Sequence, residues 1–165
     1  MAQKKEVYKE KLKQVGYWNY KGVYDMLFSW LKDQGYKVFE DTYDEKLAGN
    51  GKEITIKWTA KKKVTDYFKN EIKLDWHILG MKDAEVEIDG KKISTQKGEV
   101  AISFKGNLVK DYEARWEDAP RWKFLRSVYE KYVIRETVSE YEGDLEDDVR
   151  DIIKELKAFL KIPGR

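Results

Sequence analysis

Between residues 54 and 78 the chain alternates. Ile54, Ile56, Trp58, Ala60, Val64, Phe68, Ile72, Leu74, Trp76 and Ile78 take even positions. Thr55, Lys57, Thr59, Lys61, Lys63, Lys69, Glu71, Lys73, Asp75 and His77 take odd ones. Successive strand side chains point to opposite faces, so the pattern predicts strands with one dry and one wet face. About 25 residues are too many for one ordinary strand, which predicts a turn near 63–66. Ala84, Val86 and Ile88 continue the alternation to the hairpin signal Asp89-Gly90. Val100, Ile102, Phe104 and Leu108 resume it up to Tyr112, and Asn50-Gly51 predicts a further hairpin upstream. Residues 6–15 place Val7, Lys9, Lys11 and Lys13 on one parity and Tyr8, Glu10 and Leu12 on the other, which reads as a strand.

The period changes twice. Tyr20, Val23, Tyr24, Leu27 and Leu31 form a helical stripe, with Asn19 placed to cap it and Gly35 to end it. Trp122, Leu125, Val128, Tyr129, Tyr132 and Val133 form a second stripe, entered through Asp118 and Pro120. Gly143-Asp144 reads as a break, after which Leu145, Val149, Ile152, Ile153, Leu156, Phe159 and Leu160 form a third stripe up to Pro163. These stripes must be buried, and the sheet has one apolar face to bury them on. The expected fold is α+β: a curved antiparallel sheet of about five to seven strands with helices packed on one face.

The order strand, helix, run of long antiparallel strands, C-terminal helix resembles the START-like, or helix-grip, fold. That resemblance implies a sheet wrapped around the C-terminal helix and an apolar cavity between them for a lipid-like ligand. The sequence differs in having one helix between its first two strands where such proteins usually have two. Separately, "TDYFKNEIKLDWHILGM" and "WKFLRSVYEKYVIRE" resemble segments of small archaeal proteins of unknown function.

Composition narrows the functions to consider. The 165 residues suit a single domain spanning 1–165, and 14% aromatic content beside 39% charge argues for a folded chain. There is no cysteine, which excludes thiol nucleophiles and cysteine-ligated zinc. No run approaches the ~20 apolar residues of a membrane span, and the N-terminal segment lacks the apolar stretch of a secretion signal. A cytoplasmic location is expected. Net charge is +2, which does not announce a nucleic-acid partner.

Candidate chemistry is sparse. Asp75 and His77 share the wet parity but lie roughly 7 Å apart along a strand, too far for a direct hydrogen bond. His77 is the only histidine, so a histidine-based metal site has at most one such ligand. The acidic run "SEYEGDLEDDVRD" does not match a calcium loop, and Asp144, Glu146, Asp147 and Asp148 are expected in the first turn of a helix, where they complement its dipole. No phosphate-binding glycine loop occurs. No catalytic residue, cofactor or metal is assigned.

Two binding readings remain. In the first, a non-catalytic domain holds a hydrophobic small molecule against Trp30, Trp58, Trp76, Phe104 and Trp122, or docks a protein partner. In the second, Lys57, Lys61, Lys63, Lys69 and Lys73 present a basic sheet face to RNA or another polyanion. The second is disfavoured because sheets that read RNA usually expose aromatics, and here the aromatics fall on the dry parity.

Overall fold

The computed structural model describes residues 3–110, Phe124, Val128 and 135–161. Five strands form one open antiparallel sheet: β1 (Gln3–Trp18), β2 (Lys37–Ala48), β3 (Gly51–Lys63), β4 (Phe68–Ile88) and β5 (Lys91–Lys110). Their order in space is β1-β5-β4-β3-β2. Helix α1 (Tyr20–Asp33) joins β1 to β2, and helix α2 (Arg135–Leu160) lies C-terminal to the sheet. The stripe at 122–133, including Trp122, lies outside the described residues apart from Val128.

Alternation decides which face is covered. Ile54, Ile56, Trp58, Ala60, Phe68, Ile72, Leu74, Trp76 and Ile78, with Val100, Ile102, Phe104 and Leu108, are buried in one cluster, and Val64 packs partly buried against it. Val23, Leu27 and Leu31 of α1 and Leu145, Val149, Ile152, Ile153 and Leu156 of α2 complete that cluster, so both helices cover the same face. Gly106 lets α2 approach: a Cβ there would lie 3.0 Å from Val149 Cγ2.

The local signals explain the ends of the elements. The Asn19 side chain accepts from Gly22 N at 3.1 Å and caps α1, while Gly35 leaves the helix at φ +89°. Asp89 and Gly90 both have positive φ, the requirement of the tight turn joining β4 to β5. Between β3 and β4, the Thr65 hydroxyl accepts from Tyr67 N and Phe68 N. The hairpin near Asn50-Gly51 turns on Gly49-Asn50, with Gly51 already pairing to Ala48.

Three expectations are corrected. First, α2 is one continuous helix through Gly143, so Asp144, Glu146, Asp147 and Asp148 sit mid-helix and have no dipole to complement. An exposed glycine weakens a helix by only about 1 kcal/mol, which the buried stripe on either side overrides. Second, an extra β4 residue between Leu79 and Lys82 shifts the register. Ala84, Val86 and Ile88 consequently pair with Thr95, Ile93 and Lys91, on the face opposite Ile78. Third, Glu71 lies on the outer face yet is only 3% exposed, beside buried Asn107 and Val109.

Candidate functional site

The aromatic interior is densely packed. Trp58 and Trp76 have ring centroids 5.0 Å apart, and Tyr24 of α1 lies 4.9 Å from Trp58 and 5.9 Å from Trp76. Phe28 packs edge-on against Trp58, and Tyr20 extends the cluster from Tyr24 to Trp18. Phe104 is fully buried and Trp30 is partly buried against the same core. Described residues line a cleft of about 440 Å³ between the β3–β4 turn and α2 and another of about 320 Å³ beside the end of α1. Neither has Trp30, Trp58, Trp76 or Phe104 in its wall.

Polar handles in this interior differ. Trp58 Nε1 donates to Glu40 Oε1 at 3.2 Å, and the Tyr24 hydroxyl donates to the same oxygen at 2.8 Å. Burial, then the bond to Glu40, pushes the Tyr24 phenol up to about 12. Trp76 Nε1 is buried with no acceptor among the described residues. A buried donor without a partner costs about 1–3 kcal/mol.

The outer face is where the sheet carries its charge. Strand register places Phe39, Thr59, Lys73, Lys105 and Lys9 in one row across all five strands. With strands about 4.8 Å apart, that row spans roughly 19 Å. The next row reads Thr42, Lys57, Asp75, Ser103 and Lys11. Lys9, Lys11, Lys57 and Lys73 have no ion-pair partner among the described residues, and Lys105 reaches Glu6 only at 3.9 Å. Lys63 pairs with Asp66 at 2.8 Å. Desolvation and then the neighbouring Lys61 charge lower the Lys69 ammonium below its usual range.

Of the lysines the alternation singles out, the structure brings all five onto this face and adds Lys9 and Lys105. Their parity within β1 and β5 was readable, but the cross-strand register that aligns them was not. Phe39 was missed for a different reason. An extra residue at Asp41 shifts β2 relative to β3, which leaves Phe39 opposite Thr59 on the outer face. It is 41% exposed, with the ammoniums of Lys37 and Lys61 at 5.3 and 5.9 Å from its ring.

One end of this face is tied down. Glu71 accepts from Lys4 Nζ and Asn107 Nδ2, each at 3.2 Å. Burial alone would push its carboxyl up. The hydrogen bonds from Asn107 and Lys4, with the Lys4 and Lys73 charges, outweigh burial and hold it below the usual carboxylate range. Asp75 and His77 are exposed on the same face, and His77 Nε2 lies 3.2 Å from Glu53 Oε1 rather than against Asp75. The aromatics at 17–20 are split: Trp18 is buried, Tyr20 packs beside it, and Tyr17 is exposed outside with Lys97 over its ring.

No helix among the described residues is long and apolar enough to cross a membrane. No family model, curated protein or solved structure matches this chain. The START-like resemblance therefore rests on element order.

Proposed function

We propose that the outer face of the sheet binds an extended polyanion, with single-stranded nucleic acid as the ligand class. The observation that carries this reading is the row Lys73–Lys105–Lys9. Like charges directly opposite one another on neighbouring strands oppose folding. A phosphate backbone crossing the strands would neutralise them and release its own counterions. Phe39 at the end of the row offers a ring on which a base can stack, the element that sheet-type readers of single strands require. Ser103 in the next row, beside Lys11, adds a hydroxyl donor, whereas the Thr59 hydroxyl already donates to Asp41.

The test is fluorescence anisotropy with labelled oligouridylate and oligothymidylate across a salt series. Binding that tightens steeply as salt falls supports the reading. Absence of binding at low ionic strength removes it.

A second reading has one specific observation in its favour. Trp76 Nε1 lacks an acceptor among the described residues, and the carbonyl or hydroxyl of an apolar ligand, held between sheet and helices as in START-like proteins, would supply one. Native mass spectrometry of the protein purified without denaturation checks it: a bare polypeptide mass alone would exclude a tightly held ligand.

A further inference from the structure

We infer that the cleft at the end of α1 seats the terminal nucleotide of a single strand, with its phosphomonoester at Lys32 and Lys37 and its base against Phe28. This rests on the outer face binding single strands and adds where the strand ends. The row Lys9–Lys105–Lys73–Thr59–Phe39 runs toward the free edge of β2, the last strand of the sheet. Lys37 shares the strand face of Phe39 at roughly 7 Å along the backbone, and its Nζ lies 5.3 Å from the Phe39 ring. The same lysine lines the cleft, together with Phe28, Lys32, Gly35, Tyr36 and Val38. Val38 pairs with buried Ala60 and packs against the core, so the cleft lies on the helix side of β2. At Lys37 the basic face therefore turns round the sheet edge into a cavity.

The charge of this cavity suits an anion. Lys32 and Lys37 contribute +2, and neither Asp33 nor any other carboxylate lines it. Neither lysine has an ion-pair partner among the described residues. Lys61 stands directly opposite Lys37 on β3, with its Nζ 5.9 Å from the same Phe39 ring, and like charges so placed oppose pairing. Carboxylates that could neutralise this corner are engaged: Glu40 by Tyr24 and Trp58, Asp41 by Thr59, Asp148 by Tyr36. A helix C-terminus ordinarily disfavours an anion. Here the carbonyls of Trp30, Leu31 and Lys32 already accept from Gln34, Tyr36 and Gly35 N.

Valence and size favour a chain end over an internal nucleotide. A terminal phosphate carries about −1.5 to −2 at neutral pH, which matches the two lysines, whereas a bridging phosphate carries about −1. The volume of about 320 Å³ is at the lower limit of small-molecule sites, room for one nucleotide and not for several. Phe28 supplies the surface for the base. Its ring is 40% exposed and is held from behind by Trp58, edge-on with centroids 6.1 Å apart. An exposed ring fixed in this way is a stacking platform for any base.

The experiment is a competition read by fluorescence anisotropy at low ionic strength. Labelled oligothymidylate on the full chain is displaced by unlabelled strands of equal length carrying a 5′-phosphate, a 3′-phosphate or neither. The form whose phosphate enters the cleft should compete about fivefold better than the unphosphorylated strand, and K32Q/K37Q should bring that ratio to about one. A companion NMR titration uses thymidine 5′- and 3′-monophosphate, which need no lysine row. Saturable shifts are expected at the amides of Phe28, Lys32 and Lys37, with inorganic phosphate and thymidine binding at least about fivefold more weakly. The inference is overturned if neither terminal phosphate improves competition, or if the preference survives in K32Q/K37Q. It is equally overturned if inorganic phosphate matches the monophosphates, which would be adventitious anion binding. If no strand binds at all, the outer-face reading fails by itself and the titration alone decides the cleft: shifts at these amides support a nucleotide site, and their absence overturns it.

Discussion

Neutralising the lysine row should stabilise the protein while weakening its hold on a polyanion. The variant is K9Q/K73Q/K105Q. Lys105 has a lysine directly opposite it on both sides, Lys73 on β4 and Lys9 on β5's other neighbour, β1. Two ammoniums roughly 6 Å apart in water repel by about 0.7 kcal/mol before screening. Salt reduces this further. Two such pairs give a gain on the order of 1 kcal/mol at low salt, consistent with measured cross-strand charge effects of about 0.2–1 kcal/mol. The weak Lys105–Glu6 contact at 3.9 Å, an exposed pair of little consequence, and the attraction of Lys73 for Glu71 are lost in exchange, the latter the smallest of the effects that hold that carboxyl down. For a chain of this size the net gain raises the melting midpoint by about 2–4 °C. Binding should move the other way. Each lost phosphate contact lowers the slope of log affinity against log salt by about 0.7 for single strands, so the triple variant should lose about 2 from that slope. Differential scanning calorimetry and anisotropy on the same preparations give both numbers. A variant that retains the parental salt slope refutes the interface. A variant that melts lower than the parent refutes the account of the row as electrostatically strained.

E71Q should destabilise the protein by about 1–3 kcal/mol at neutral pH, because it removes the charge that Lys4 and Asn107 meet. The folded carboxyl titrates below its unfolded value, so its contribution is full above about pH 4.3 and disappears as pH falls through the lower folded value. Urea midpoints of parent and variant should therefore converge in acid, and a constant gap down to pH 2 or so would contradict the pairing. G106A puts a methyl 3.0 Å from Val149 Cγ2 and 3.4 Å from Leu145 Cγ, and should cost about 1–3 kcal/mol by urea denaturation unless α2 sits farther off. W58F should cost about 1 kcal/mol more than W76F, since it loses the bond to Glu40 whereas W76F removes an unpartnered donor. The reverse order would mean that Trp76 has an acceptor in solution.

Much of the fold was legible because one face of the sheet is buried and a strict period of two leaves little choice of register. The run from Ile54 to Ile78, the turn after Lys63 and the caps of α1 all follow from local chemistry. What escaped were single-residue insertions. The extra residues at Asp41 and at Gly80-Met81 change which side every following residue takes, yet neither has a sequence signature stronger than one glycine. Gly143 misled in the opposite sense. Val138, Tyr141, Leu145, Val149, Ile152, Leu156 and Phe159 keep three- and four-residue spacing straight through it, a pattern that outranks one exposed glycine. The candidate sites suffered most from these errors. Phe39 reaches the lysine row only because of the β2 insertion, and the aspartates lose their place at a helix end because the helix is continuous.

The small net charge of +2 therefore hides segregation. Unpaired lysines collect on the outer face of the sheet, and unpaired aspartates collect on α2, which packs against the inner face. Fields of opposite sign on opposite layers steer ligands of opposite charge to different places, which an overall isoelectric point cannot reveal. Polyanion binding to the sheet should weaken as salt rises. D144N/D147N should leave oligouridylate binding within about twofold of parental, because the aspartates lie on the helix that packs against the inner face. A several-fold change in that affinity would mean that the two fields overlap, and the division of the molecule into a basic layer and an acidic one would be wrong.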